Sequence, residues 1–235
     1  MTSYRVVVGA TSGLVSGVDV FAGHLVRGLQ RLGMSAHILT TFPPHGTTTH
    51  PMAFPGDLPV ARLPVNLRAS WPARWQAMMS YLEAQAPCVY IPNSDWGHSC
   101  VCSRLSETVR VVGIVHSDDP VHYEHVARLG AYWNAVVTVS DAIALRVTRL
   151  LPSHAARIAT IPYGVPIPDQ LSEQRFTDSG RLRVVYAGRL VQAQKRVLDL
   201  PRIVKRALEQ GVDMELLVAG AETTSAGYER TLTSS

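Results

Sequence analysis

Residues 5–39 read RVVVGATSGLVSGVDVFAGHLVRGLQRLGMSAHIL. Arg5–Val8 is a short β-branched run of the kind buried in parallel sheets, and it closes on Gly9-Ala10-Thr11-Ser12-Gly13 and then Ser16-Gly17. Val18, Phe21, Leu25, Leu29 and Leu32 then recur at helical spacing, and Gly33 supplies a stop. Ala36–Leu39 is the next strand. Strand, glycine loop, amphipathic helix and strand form a βαβ unit, which predicts a right-handed parallel sheet.

The same alternation continues. Thr40 to Pro64, rich in Pro, His, Thr and Gly, reads as an exposed loop with one short strand near Ala61–Leu63. Pro72 suits a helix first turn, and Trp75, Met78, Met79 and Leu82 line one face behind it, ending before Pro87. Cys88–Ile91 is a strand with Asn93–Trp96 as its exit loop, followed by a helix near His98–Ser106. The strand Arg110–Val115 ends on His116-Ser117-Asp118-Asp119-Pro120. A helix over Val121–Leu129, the strand Ala135–Val139, a helix capped by Ser140 and the strand Ile158–Ile161 complete the series. About six strands alternating with helices predict a doubly wound, Rossmann-like α/β domain over residues 1–162.

Composition then shifts. Residues 163–181 read as a linker, and 182–235 as the start of a second Rossmann-like domain. Its elements are strand Leu182–Ala187, a helix over Arg196–Gln210 and strand Met214–Ala219, before a polar, weakly patterned end. One βαβ unit cannot cover both faces of its strands, so this piece needs a further surface to lean on, a pairing chain, or is a remnant.

The 235 residues, 46% apolar and 17% charged, suit a globular α/β protein with a sizeable core. No apolar run approaches the about 20 residues of a spanning helix, and no signal-peptide core follows Met1. The cytoplasm is the expected location, with at most peripheral contact at the inner membrane face. The net charge of +4 fits an anionic small molecule; without a run of five Lys/Arg it gives no nucleic-acid footprint. Cys88, Cys100 and Cys102 are odd in number and form no Cys-x-x-Cys pair, so reduced structural thiols are expected.

The second domain opens on Val185-Tyr186-Ala187-Gly188-Arg189-Leu190, with Lys195 six residues beyond Arg189. A strand, a basic loop and a helix start suit a diphosphate: Arg offers a planar fork, Lys a mobile point charge, and backbone amides a dipole of matching sign. The first glycine loop is less specific. Its glycines fall four apart, and Leu39-Thr40-Thr41 stands where a dinucleotide fold carries a ribose-binding acid, which argues against a nicotinamide enzyme. Ser12 and Ser16 lie in no Gly-x-Ser-x-Gly elbow. His116 falls at the carboxyl end of a central strand, where open α/β sheets place ligands. His116, Asp118, His122 and His125 raise a metal reading, but no His-Glu-x-x-His is present and helix-surface histidines are the better reading.

The chain resembles the retaining glycosyltransferases of the group 1 type (family 4), built on the GT-B fold. The specific likeness lies in Ile161-Pro162-Tyr163-Gly164-Val165 and in Gly188-Arg189-Leu190 with Lys195; weaker points are the glycine loop, the His116 loop, Val139-Ser140 and Leu216-Leu217-Val218-Ala219-Gly220. The resemblance implies transfer of a hexosyl-type sugar from a nucleotide-diphosphate-sugar such as a UDP-sugar. The implied acceptor is a glycan, glycolipid or small molecule held by the first domain, as in polysaccharide biosynthesis, and no metal cofactor is implied. It places Arg189, Lys195 and Gly17 at the donor diphosphate and His116 at the transferred sugar, with Ser16, Gly188, Asp118 and Ser140 as further cleft candidates. Where the family has Gly-Gly at the first helix start, this chain has Ser16-Gly17. The family's Glu-x7-Glu motif has no counterpart, since Glu222 and Glu229 are six residues apart in between and too early. The expectation is a transferase lacking the distal part of its donor domain. Such a chain needs a homo-oligomer or complementing chain for activity, or serves as a non-catalytic binding or pairing module.

Overall fold

The computed structural model describes residues 5–10, 16–41, 54, 56–63, 65–66, 69–165, 167 and 180–220. Ser12 and Gly13, most of the linker, Glu222 and Glu229 lie outside the described residues. The chain divides into two compact units, Met1–Val165 and Pro166–Ser235.

The first unit is a parallel sheet with helices on both faces. Its strands are β1 (Arg5–Ala10), β2 (Ser35–Thr40), β3 (Val60–Arg62), β4 (Cys88–Ile91), β5 (Val109–Val115), β6 (Ala135–Thr138) and β7 (Ile158–Thr160). They lie in the order β3-β2-β1-β4-β5-β6-β7, one more strand than the sequence pattern predicts. β1 is flanked by β2 and β4, with Val6 beside Ala36 on one side and Val89 on the other. Its valines therefore face two cores. Val7 packs with Leu39, Tyr90, Val111 and Met78, whereas Val6 and Val8 pack with Ile38, Ala22 and Val26. This is why the strand reads as an uninterrupted apolar run rather than an alternating one.

Local chemistry sets the helix starts. In α1 (Gly17–Arg31), the Ser16 hydroxyl oxygen accepts from the Asp19 amide at 3.1 Å and donates to the Asp19 carboxylate at 3.0 Å. α2 (Trp71–Ala84) is capped by Ser70 with Pro72 in its first turn, α4 (Pro120–Leu129) by Asp119, and α5 (Asp141–Leu150) by Ser140. Each cap satisfies an amide that the helix itself leaves unpaired. Gly33 adopts φ 78°, the left-handed turn that ends α1.

Three local expectations are corrected. The segment near His98–Ser106 is a single helical turn, α3 (Trp96–Ser99), followed by a 3₁₀ turn at Cys102–Arg104. The 40–64 stretch is not simply exposed: Phe54, Leu58 and Leu63 are buried, the first two in the core with Ala22 and Val26. His125 is no surface histidine either; it is 2% exposed, with its ring stacked on Trp96 at 4.5 Å and edge-on to Trp133 at 5.6 Å. Two apolar aromatic walls outweigh the polar reading of its sequence neighbours.

In the second unit, β8 (Leu182–Ala187) pairs in parallel with β9 (Met214–Ala219). The expected helix over Arg196–Gln210 is broken. α6 (Gln192–Lys195) is one turn, Arg196 is left-handed at φ 51°, and a 3₁₀ turn at Val197–Asp199 leads into α7 (Leu200–Glu209). Pro201 explains the late start, since proline is tolerated only in a helix's first turn.

Gly113 in β5 marks where the core tolerates no added atom: a Cβ there would lie 2.1 Å from the Trp133 ring, which is itself 2% exposed. Gly113→Ala is expected to lower stability by about 1–3 kcal/mol through overpacking, read as a lower urea midpoint at unchanged slope. An unchanged midpoint would mean that the indole has room to move.

Candidate functional site

In the first unit the strand order reverses between β1 and β4. The chain leaves β1 toward β2 and β3 and returns to add β4 on the other side. The carboxyl ends of two such strands diverge and leave a crevice, the usual ligand position of open α/β sheets. A pocket of about 190 Å³ lies there, lined by Gly9, Ala10, Ser16, Val18, Asp19, Asn93, Ser94, Asp95 and His122. Gly9 is glycine for packing: a Cβ would lie 2.6 Å from Nδ1 of the buried His98, whose ring in turn meets the Tyr90 hydroxyl at 2.7 Å. At Gly17, by contrast, a Cβ would meet nothing within 4 Å.

The pocket floor is polar and organised. Asn93 and Ser94 both take left-handed backbone, at φ 54° and 58°. Such conformations are uncommon outside glycine and recur at functional sites. They follow Pro92 and turn the chain so that Ser94 donates to the Ile114 carbonyl, while Asp95 caps α3 by accepting from the His98 amide at 2.9 Å. Asn93 is 2% exposed; its Nδ2 donates to the Val18 carbonyl at 3.2 Å, and its Oδ1 lies 2.9 Å from His116 Nε2.

These contacts fix the state of His116. The Val18 carbonyl can only accept, so the Asn93 atom facing it is the amide nitrogen, and the atom facing His116 is the oxygen. Nε2 must then carry the hydrogen. Nδ1 is left as the acceptor, and the Tyr163 hydroxyl, 2.6 Å away, donates to it. Phe21 packs edge-on against both rings, at 5.0 and 5.4 Å. Burial, with a smaller push from His122, holds the imidazole down at about 4, so it is neutral at physiological pH. Both ring nitrogens are thus engaged within the first unit.

The other cleft candidates separate. Asp118 accepts from the Tyr123 hydroxyl at 2.6 Å and pairs with Arg146 at 3.0 Å, an exposed cluster with the guanidinium over the Tyr123 ring. Ser140 caps α5. Asp19 was not singled out in the sequence, yet it is 7% exposed. Burial raises its pKa, the Ser16 bond opposes this, and the Asp95 carboxylate adds to the rise. Asn93, Asp19 and Tyr163 carry no motif; only the position of Asn93 at a strand exit could have drawn attention to it. Among the described residues no three His, Cys, Asp or Glu side chains form a metal-binding group.

In the second unit, β8 runs into Gly188, whose amide donates to the Ala219 carbonyl at 3.0 Å. Gly220 must be glycine: a Cβ would lie 1.9 Å from the Gly188 oxygen. The strand ends are so closely joined that the chain beyond Gly188 is held at one place. Arg189 is exposed, and its carbonyl accepts from the Tyr186 hydroxyl at 2.9 Å. Lys195, also exposed, ends α6 rather than sitting on an open loop. A helix start at Lys195 was expected; the intervening left-handed Arg196, tied to Asp199 at 2.8 Å, moves the long helix away from it.

No protein-family model matches the sequence, and no curated protein matches it. Solved structures do. The lipopolysaccharide outer core galactosyltransferase WaaB in its apo form is 13% identical, at TM-score 0.66, over 98% of this chain and 63% of its own. A variant of S. aureus TarM, solved with Fondaparinux, α-GlcNAc-glycerol and UDP, is 8% identical at TM-score 0.68, over 98% and 75%. An α-glucosyltransferase in complex with UDP is 9% identical at TM-score 0.59, over 99% and 62%. The chain therefore spans less than two thirds of the length of the galactosyltransferase and of the α-glucosyltransferase. The fold is the Rossmann-like α/β fold of GT-B glycosyltransferases.

The two buried imidazoles give the first unit a pH signature. Burial, with a smaller push from His122, also holds His125 at about 4, whereas unfolded histidine titrates near about 6.5. Between these values the unfolded chain binds more protons, so stability is present above about pH 6.5 and is lost as pH falls toward about 4. The urea midpoint is expected to fall between about pH 7 and about pH 5, with a shallower fall in His125→Phe. A midpoint flat over that interval contradicts the assignment of neutral buried histidines.

Proposed function

We propose that the chain is a GT-B glycosyltransferase of the retaining group 1 type (family 4). It transfers a hexosyl-type sugar from a nucleotide-diphosphate-sugar to a glycan, glycolipid or small-molecule acceptor. The observation that carries this reading is the exit of β8: a glycine-locked strand end that presents Arg189 and, one turn of helix later, Lys195, within a fold shared with solved glycosyltransferases. Solved relatives of that fold hold UDP or UDP-glucose, which supports a uridine nucleotide as the first donor to try.

The diphosphate belongs on Arg189 and Lys195, a fork and a point charge suited to stabilising a departing nucleoside diphosphate. We do not extend it to Gly17, because Asp19 and Asp95 line the pocket beside that residue. The first unit takes the acceptor, with His116 as part of the pocket's frame and no metal ion required.

A second reading is a binding or pairing module, and one observation favours it. The β8–β9 sheet carries its helix on one side, while Val185 and Leu217 on the other are 62% and 57% exposed. Two apolar residues side by side on an open sheet face are suited to cover by another surface.

Titrating the 235-residue chain with UDP-glucose, UDP-galactose and UDP-GlcNAc tests the first reading by calorimetry. Lys195→Ala and Arg189→Ala are each expected to weaken binding by about tenfold or more, as befits loss of a charge-assisted hydrogen bond of about 1.5–3 kcal/mol. The weakening should shrink at high salt. Affinity unchanged in both variants removes the diphosphate site, and concentration-dependent self-association without nucleotide affinity selects the second reading.

A further inference from the structure

The crevice between β1 and β4 has a chemistry that its position alone does not specify. Asn93 is buried to 2% exposure, and two of its three polar valences are spent inside the fold: Oδ1 on His116 and one amide hydrogen on the Val18 carbonyl. The second amide hydrogen has no acceptor among the described residues, although Asn93 lines the pocket. A buried donor without a partner is costly, so a pocket that keeps one offers it to a ligand oxygen.

Around this donor stand acceptors. Asp19 and Asp95 bring two carboxylates to the same 190 Å³, with His122 at the rim from α4. The positive end of the α1 dipole, which alone would favour an anion, already faces the Asp19 carboxylate in its first turn. A phosphate or carboxylate entering here would meet like charges. A hydroxyl suits both sides, since it donates to a carboxylate and accepts from an amide. The volume is below the about 300 Å³ at which pockets for drug-sized ligands begin, so a nucleotide does not fit and a single substituted ring does.

We infer that this pocket binds one uncharged, hydroxyl-bearing sugar ring, with Asn93 as the specificity-determining donor and Asp19 as an acceptor. His116 and Tyr163 are positioning residues behind it. Tyr163 donates to Nδ1, which keeps Nε2 protonated, and Nε2–H holds the Asn93 oxygen so that its amide faces the pocket. The inference deepens the transferase reading and rests on it for the sugar's role as acceptor; the chemical class follows from the pocket itself.

The test uses the 235-residue chain and two probes, methyl α-glucopyranoside and glucose 6-phosphate, followed through the Asn93 side-chain amide signal by nitrogen-edited NMR. The methyl glycoside is expected to shift that signal saturably, and the phosphate to bind at least about tenfold more weakly, about 1.4 kcal/mol. Asn93→Asp keeps the shape and tolerates the left-handed backbone but replaces the donor with a third carboxylate; Asn93→Gly tolerates it and removes the side chain. Both should abolish glycoside binding while the UDP-sugar affinity stays as in the parent. Tyr163→Phe should shift His116 away from the pure Nε2–H tautomer in its ring-nitrogen signals and weaken the glycoside, which a merely structural role would not do. Equal or tighter binding of the phosphate, no response to the glycoside, or unchanged binding in both Asn93 variants overturns the inference. Loss of UDP-sugar affinity in Lys195→Ala is read separately, so the pocket and the donor site can fail independently.

Discussion

β1 is hydrogen-bonded on both edges and buried on both faces, and the rest of the first unit is arranged around that constraint. Because it has β2 on one side and β4 on the other, the sequence must leave it in one direction and come back from the other. The crevice at its carboxyl end is a consequence of that connectivity. Its walls are then built from whatever follows the two strands: Gly9, thinned to admit the His98 ring, and the left-handed pair Asn93 and Ser94. Neither wall can be altered without disturbing the core, because His98 is fully buried and Ser94 is tied to the β5 backbone. A site built on such supports is rigid where it needs to be.

The two units are opposite in charge character, and this separates their roles. The second presents Arg189 and Lys195 after β8, while the first lines its pocket with Asp19, Asp95 and the neutral amide of Asn93. Two Rossmann-like βα starts share the same backbone logic, a strand followed by a helix whose amides point at the crevice. Side chains decide what that shared geometry holds. In α1 the first-turn carboxylate answers the helix dipole from within; in the second unit the basic residues reinforce attraction for an anion.

The strands, the capped helices and the parallel order were legible because each rests on a local signal: consecutive β-branched residues, an apolar stripe, a Ser or Asp before a first turn. The helix break at Arg196 was not, because the 196–210 stripe of Val197, Leu200, Val204 and Leu208 is helical in period and Pro201 is compatible with a first turn. Periodicity cannot say whether the turn before a proline belongs to the same helix. His125 was misread as a surface residue for a related reason. Its neighbours in sequence are polar, whereas Trp96 and Trp133, which bury it, come from other elements. For the site, residue type found His116 and the basic pair, whose chemistry is visible in one letter. Asn93 and Asp19 matter through burial and through which of their valences are spent, and neither quantity is local.

His116 shows what that difference means for mechanism. A histidine at a strand exit invites an acid–base role, since its ordinary pKa lies near neutrality. Here burial holds it neutral, Asn93 takes its one hydrogen and Tyr163 fills its one lone pair. A general base needs a lone pair within reach of the substrate proton, and this one is already occupied at 2.6 Å. To act directly, the ring would have to give up Tyr163, whose bond also ties the segment leaving the first unit back to the sheet. The geometry therefore suits a different use of the same residue, in which a fixed tautomer aims an amide. The transfer chemistry is then left to positioning and to charge stabilisation of the leaving diphosphate, where proximity alone supplies a large share of the rate.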